Sequence, residues 1–359
     1  MADPGRTPLK GRGAVTNRTG RFERLSVDPF DDGWGTVEER PEKARTELHA
    51  EDTRTIIAKN DSPDIPFFQS INPYKGCEHG CVYCFARPTH AYLGLSPGLD
   101  FETKIFHKPR AAELLRKELS KKSYKAAVLA LGANTDPYQP AERKLRITRS
   151  VLEVLAEFNH PVNIVSKSNL MLRDLDLLAP MAQKGLASVL ISITTLDREL
   201  AGKMEPRAAT PSRRLEAVRA LHEAGVPVGV LTSPMVPGLN DHELDALLEG
   251  ARSAGAEYAN YVLLRLPLEI KDLFAEWLEE HYPHRAARVM SLMRQSHGGR
   301  LYNADFGRRM RGEGPYAQVL ERRFQLACKR LGLVRKFPPR RTDLFRVPPQ
   351  PGDQRSLFG

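Results

Sequence analysis

The chain has 359 residues, enough for one large domain or two small ones. It is 41% hydrophobic and 27% charged, ordinary for a soluble globular protein, and no apolar run approaches the roughly 18 residues of a membrane span. Its net charge is +10, and nearly the whole excess lies between Arg300 and Arg346, where thirteen Lys or Arg face four Asp or Glu. Such a local basic surface is the footprint of a polyanion partner such as DNA or RNA, and equally of a solvated arginine-rich face. The opening Met1-Ala2-Asp3-Pro4-Gly5 lacks the apolar segment of a secretory signal, so the expected location is the cytoplasm, with no membrane partner.

Residues 1–60 are rich in Arg, Gly, Pro, Asp and Glu with little periodicity, and read as a mostly disordered, loosely draped segment in which Phe30 to Trp34 docks locally. From residue 61 the pattern becomes an alternation of strands and helices. Six strands are expected at 66–71, 126–131, 162–165, 187–193, 226–231 and 258–264. Helices are expected at 111–121, 148–158, 172–184, 212–224 and 241–254, with Asn240 as a cap and Gly225 and Gly255 as helix-ending glycines. Six strands alternating with helices over 61–266 argue for parallel βαβ units, either as an open doubly wound sheet or as a curved partial barrel. Beyond Leu266 the alternation stops. Residues 267–337 read as a helical, basic C-terminal extension with helices at 269–281, 283–296 and 315–331, and 338–359 as a Pro-rich tail.

The chemistry concentrates between the first two strands. Three of the four cysteines fall within eight positions, Cys77, Cys81 and Cys84, spaced C-x3-C-x2-C. Thiolates this crowded, in a chain otherwise poor in cysteine, point to one soft-metal centre. A [4Fe–4S] cluster normally takes four protein thiolates, so three leave one iron open to a ligand that is not protein. The residues alone also allow a structural zinc site completed by His79, or a disulfide plus a spare thiol. Cys328, far away in an expected helix, reads as core packing.

The cysteine spacing, with the aromatic Tyr83 before the third cysteine and a strand before the loop, resembles the radical S-adenosylmethionine superfamily. The resemblance covers roughly Pro66 to Leu266 and is nearest to its spore-photolyase-like, DNA-repair group. It implies an α/β fold, a six-fold (β/α) partial TIM-type barrel with a helical C-terminal extension and disordered termini. It also implies a [4Fe–4S] cluster on Cys77, Cys81 and Cys84 and a reducing electron donor. S-adenosylmethionine would sit on the open iron, cleaved to a 5′-deoxyadenosyl radical.

The same resemblance assigns the loops that follow the strands. Thr135 and Asp136 stand where most members carry Gly-Gly-Glu and resemble the Ser-Asp-Pro of spore photolyase, which implies contacts to the S-adenosylmethionine ammonium. Lys167, within Ser166-Lys167-Ser168, implies a charge for the carboxylate, and Ser192 and Thr194 imply hydroxyls for the ribose. Glu205-Pro206-Arg207 and the loop from Pro234 to Asp241 resemble further loops of the group and read as cofactor-side structure. His90, Tyr92, Tyr138, Arg265 and Glu269 lie in or near strand-end loops where substrate is expected. One departure matters: spore photolyase needs a cysteine just before its Ser-Asp-Pro loop as hydrogen-atom donor, and here Ala133 and Asn134 occupy those positions. The resemblance therefore implies a radical enzyme acting on nucleic acid, or modifying RNA or protein, without implying photoproduct repair by that route. A DNA-associated binding protein with a structural or redox-sensing cluster is the rival from another class.

The final residues Gln354, Leu357 and Phe358 resemble the Gln-x-x-Leu-Phe peptide that docks bacterial proteins on the replication sliding clamp, with Leu357 and Phe358 filling an apolar pocket. A tail that docks on its own domain is the alternative. A peptide of residues 350–359 is expected to bind a bacterial sliding clamp in fluorescence anisotropy, and the Leu357→Ala, Phe358→Ala peptide to bind about tenfold more weakly or worse. Equal affinity of the two peptides removes the assignment.

Overall fold

The structure, a computed structural model, describes residues 9–23 and 44–349. Ten strands form two sheets among these residues: β1 Glu47–Ala50, β2 Ile57–Lys59, β3 Gln69–Ile71, β4 Tyr74–Lys75, β5 Lys104–His107, β6 Leu129–Leu131, β7 Val162–Ser166, β8 Ala187–Ser192, β9 Val228–Met235 and β10 Tyr258–Leu263. The larger sheet runs β10-β9-β8-β7-β6-β3-β2, with six parallel strands in unbroken chain order and β2 antiparallel at the edge. These six are the six expected from the sequence. A doubly wound sheet reverses its strand order, and this one does not. Parallel crossovers are right-handed almost without exception, so an unreversed order sets all the connecting helices on one face.

Side-chain alternation shows what each face does. Leu129 and Leu131, Val162 and Ile164, Val189 and Ile191, Val228 and Val230, and Ala259, Tyr261 and Leu263 point at the helices and form the main core. The opposite face carries Asn163, Val165, Leu190, Leu231, Asn260 and Val262, all only half-buried. That face is a trough, small and partly polar, and it opens beside the cysteine loop.

The sheet curves. Laid flat, its edge strands would be about 29 Å apart across six gaps of about 4.8 Å. Yet Met310 accepts a hydrogen bond from the Leu263 amide at 3.0 Å and Arg311 reaches Asn260 Oδ1 at 2.6 Å, both on β10. A few residues away, the Gly307 amide and Arg309 Nε each meet the carboxylate of Asp64, between β2 and β3, at 2.7 Å. Four Cα steps span at most about 15 Å, so one short segment joins β10 to the loop between β2 and β3 at the opposite edge, as a curved sheet allows.

The helices follow the expected pattern closely: Ala111–Leu119, Ile147–Glu157, Leu175–Gln183, Pro211–Glu223 and Leu244–Ser253 between strands, then Ile270–His281, Pro283–Gln295 and Gly314–Leu331. The last is not a mere appendage. Its Phe324 and Cys328 are buried in the main core, with the Phe324 ring 4.9 Å from that of Tyr261. None of the described helices is long and apolar enough to cross a membrane.

The terminal segments differ most from expectation. Residues 9–23 and 44–60 are not loosely draped: β1 pairs with β5, and Leu9, Arg12, Ala14 and Val15 are buried. Residues 338–349 do not form a free tail either, because the Arg341 and Arg346 amides bond to Gly185 and Phe158 carbonyls and Phe345 packs on Tyr124, Phe158 and His160. Both segments are held by backbone and polar contacts together with scattered apolar residues such as Val15 and Phe345, which show no hydrophobic period to read. Phe30 to Trp34 and Gln354, Leu357 and Phe358 lie outside the described residues.

Phe324→Ala is expected to cost about 3–5 kcal/mol in denaturant unfolding, as for a fully buried ring in a shared core. A loss under about 1 kcal/mol would show that the C-terminal helix is peripheral.

Candidate functional site

The cysteine loop runs from β4 to the helical turn Arg87–Leu93, at the C-terminal end of β3. Its backbone is tied on every side. The Cys77 amide donates to the Phe101 carbonyl at 2.9 Å, the Glu78 amide to Gln139 Oε1 at 2.9 Å, and the Val82 amide to the Met204 carbonyl at 3.1 Å. Gln139 Nε2 returns a bond to the Gly76 carbonyl at 3.1 Å. From the other side the fully buried Arg87 donates to the carbonyls of Cys81 (2.8 Å) and Gly80 (3.1 Å) and pairs with the buried Glu102 at 2.5 Å. Glu102 also accepts the Gly13 and Ala14 amides at 2.9 and 2.8 Å, which fastens the N-terminal segment over the loop. Gly80 has φ +69°, and a Cβ there would lie 2.7 Å from Glu102 Oε2, so only glycine fits.

Cys77 and Cys81 are buried and Cys84 is half-buried, and none is in a disulfide. Burial pushes all three thiols up, Cys77 well above the usual range and Cys81 to about 12. Cys77 also feels Cys81 and Cys84, so the three are electrostatic neighbours. Among the described residues no three His, Cys, Asp or Glu side chains stand close enough together, as they lie, to hold a metal ion. His79 is buried and its Nδ1 pairs with Asp136 Oδ2 at 3.3 Å, which fixes the ring but engages only one of its two nitrogens, so this contact does not by itself remove the zinc alternative.

Asp136 is a hub. One oxygen accepts Ser166 Oγ (2.7 Å) and the Tyr138 amide (2.9 Å), and the other accepts the Lys167 amide (2.7 Å) beside His79. Burial opposes its charge, but His79 and these donors outweigh it and hold the carboxyl at about 2. Thr135 donates to the Tyr74 carbonyl at 2.8 Å. Both residues expected to meet a ligand ammonium are engaged with the chain, linking the cysteine loop to the end of β7.

Lys167 faces the other way. Its Nζ donates to Ser192 Oγ at 3.0 Å and stands 5.8 Å from the centre of the Tyr83 ring, and Cys81 and Cys84 both feel its charge. Tyr83, Thr194 and Glu205 form one buried cluster: the Tyr83 hydroxyl donates to Glu205, and Thr194 Oγ1 reaches Glu205 Oε1 at 2.6 Å and the Tyr83 hydroxyl at 3.3 Å. Glu205 pairs with Arg214, itself buried and bonded to the Ser192 carbonyl at 3.0 Å. Burial works against both charges. Each offsets it for the other, leaving Glu205 below and Arg214 above its ordinary pKa. The structure thus brings Tyr83, Lys167, Ser192 and Thr194 together beside the cysteines. Sequence reasoning missed Arg214, Arg87 and Glu102: the pairs lie 9 and 15 residues apart, across loops, at spacings that no helix or strand period marks.

The remaining candidates divide. His90 and Tyr138 are fully buried, Tyr138 in the wall of a small pocket with His79 and Ser168, whereas Tyr92 is 71% exposed. Glu269 is paired with Arg21 at 2.5 Å. Arg265 lies half-buried over the Phe85 ring, 4.9 Å from its centre. Asn240 does not cap a helix. Its amide instead joins the Thr194 carbonyl (2.7 Å) to the Pro234 carbonyl (3.0 Å), and its oxygen takes the Val236 amide, so it staples two strand-end loops.

Comparison with known proteins follows this geometry. The family model described as the Radical SAM superfamily matches residues 71–251. An uncharacterized protein of Mycobacterium tuberculosis (strain ATCC 25618 / H37Rv) is 38% identical over 233 residues, 64% of this chain and 68% of that protein. An uncharacterized protein of Methanocaldococcus jannaschii is 27% identical over 214 residues, 59% of this chain and 76% of that protein. Among solved structures, spore photoproduct lyase complexed with dinucleoside spore photoproduct has a TM-score of 0.58 at 16% identity, covering 81% of this chain and 82% of that one. A doubly substituted mutant of that lyase with bound AdoMet and the same dinucleoside has a TM-score of 0.56 at 15% identity, covering 81% of each chain. At these identities the likeness is one of fold.

Arg214→Ala strands Glu205 as a buried, uncompensated charge and is expected to cost about 3–5 kcal/mol in denaturant unfolding. The double variant Glu205→Gln, Arg214→Met is expected to be more stable than Arg214→Ala alone. A double variant no better than the single one contradicts the pairing.

Proposed function

The chain belongs to the radical SAM superfamily, and on that premise we propose that it is an enzyme that holds one [4Fe–4S] cluster on Cys77, Cys81 and Cys84 and binds S-adenosylmethionine beside it. By its chemistry the donor set fits: three thiols on one tightly tied loop, which would draw together and give up the protons that burial favours on taking up iron. The curved, unreversed sheet supports the six-fold partial barrel, with the site at the C-terminal strand ends where barrel enzymes carry theirs.

Cys77, Cys81 and Cys84 would hold the cluster, which when reduced would supply the electron for cleaving S-adenosylmethionine to methionine and a 5′-deoxyadenosyl radical. The chain's own residues bind and orient. Lys167 offers a point charge for the carboxylate, at a place where no carboxylate of the described residues answers it directly. Ser192 and Thr194 present hydroxyls for the ribose, fixed through the Ser233 carbonyl at 3.2 and 3.0 Å. Glu205 and Arg214 lock Tyr83 in place. Asp136 acts as a positioning residue that holds His79 and the Lys167 backbone, and Thr135 braces the same loop. The observation that carries the reading is the convergence of Tyr83, Lys167, Ser192 and Thr194 on the three-cysteine loop.

The substrate we favour is nucleic acid, supported by the excess of basic residues between Arg300 and Arg346. Photoproduct repair through a cysteine hydrogen donor is not part of this reading, because Ala133 and Asn134 precede Thr135 and Cys328 is locked in the core.

Anaerobic reconstitution with iron and sulfide, followed by dithionite and S-adenosylmethionine, is expected to yield 5′-deoxyadenosine, and Cys81→Ala to reduce it to background. A cluster that forms and leaves S-adenosylmethionine intact across added DNA, RNA and protein substrates favours the sensing role. Zinc in place of iron removes the cluster assignment.

A further inference from the structure

Among the described residues five aromatic rings are exposed, Phe22, Phe68, Phe85, Tyr92 and Phe306, and each has a Lys or Arg stacked over it. Arg21 and Arg309 owe their places to the carboxylates of Glu269 and Asp64. Arg265 has no such reason. It is half-buried, stacked 4.9 Å over Phe85, and no hydrogen bond or ion pair to any described residue accounts for its position. Burial works against its charge, and the ionisable groups it feels are Tyr302, Arg309, Asp64 and Cys84. Asp64 is already taken by Arg309 and by the Gly307 amide, so it cannot neutralise a second guanidinium. A guanidinium with one face on a ring and its donors free is set to take an anion.

The place of this pair matters as much as its chemistry. Phe85 directly follows Cys84, and Arg265 closely follows β10, so both stand where the trough meets the cysteine loop. Phe85 is 46% exposed, and across Arg309 the ring of Phe306 is 59% exposed. A ring this open offers a face to another planar group. A base in duplex DNA has both faces covered by its neighbours, whereas an unpaired base does not.

We propose that Phe85 and Arg265, flanked by Phe306 and Arg309, seat one unpaired nucleotide of a single-stranded nucleic acid, its base on the open face of Phe85 and its phosphate on Arg265. This rests on the radical-enzyme reading for what happens next to the bound nucleotide, but binding itself needs neither reductant nor turnover. The seat puts the nucleotide beside Cys84, at the mouth of the trough that Lys167, Ser192 and Thr194 line.

The test is fluorescence anisotropy on the full reconstituted chain without reductant, using labelled single-stranded DNA and RNA of about twelve nucleotides and a duplex of the same sequence. The wild-type chain is expected to prefer a single strand to the duplex, and the DNA and RNA arms identify which strand it takes. Phe85→Leu and Arg265→Gln are each expected to weaken that binding about tenfold, with circular dichroism and iron content unchanged; Arg265→Lys, which keeps the charge, is expected to lose less. No preference for single strands, or variants that bind as tightly as wild type, overturns the proposal. So does an Arg265→Gln chain that loses S-adenosylmethionine in equilibrium dialysis yet keeps its oligonucleotide affinity, since Arg265 would then serve the cofactor. Formation of 5′-deoxyadenosine without any oligonucleotide reports on the enzyme reading alone, which survives if only the seat fails.

Discussion

The site depends on one buried ion pair. Arg87 and Glu102 are both fully inaccessible to solvent, and burying two charges costs more than their mutual attraction returns unless every remaining donor and acceptor is filled. Here they are filled. The guanidinium reaches the carbonyls of Cys81, Gly80, Pro97 and Gly98 as well as Glu102, and Glu102 takes the Gly13 and Ala14 amides. The loop that carries the three cysteines is not a regular element, so its amides and carbonyls have no ladder to join and need other partners. The pair supplies that missing framework from inside the loop, and charge-assisted bonds of this kind are roughly twice as strong as neutral ones.

A second buried pair does the same work on the opposite wall. Glu205 and Arg214 hold Tyr83 from below and the end of β8 through the Ser192 carbonyl. Between the two pairs, Asp136 ties His79 in the loop to Ser166 and Lys167 at the end of β7. Three acidic side chains far apart in sequence therefore set the orientation of one short loop against three strand ends. The polar groups that face the trough directly, Lys167 and Arg265, are the ones left without carboxylates of their own among the described residues, which is the distribution expected where anionic ligands complete the structure.

The repetitive part of this architecture was legible in the sequence. All six parallel strands and the helices between them appear where period and turn residues put them, since their burial is periodic and local. The cysteine loop was legible because its chemistry is local too. What could not be read was polar and without period: Arg87 with Glu102, Glu205 with Arg214, and, far off along the chain, the N-terminal residues that lie over the cysteines. The same blindness covers the contacts that Thr135 and Asp136 make within the chain. Thr135 and Asp136 are short polar groups at a strand end, and nothing in their own neighbourhood reveals that Tyr74, His79 and Lys167 already occupy them. Residues 9–23 show no hydrophobic period because backbone bonds to Glu102 share the fastening with a few isolated buried residues, Leu9, Ala14 and Val15.

The central claim is that the three cysteines leave one iron open, and electron paramagnetic resonance of the reduced, reconstituted chain tests it most directly. The account predicts a reduced [4Fe–4S] signal whose shape changes when S-adenosylmethionine is added, because the ligand occupies a position no side chain fills. A cluster signal identical with and without S-adenosylmethionine at saturating concentration would contradict it.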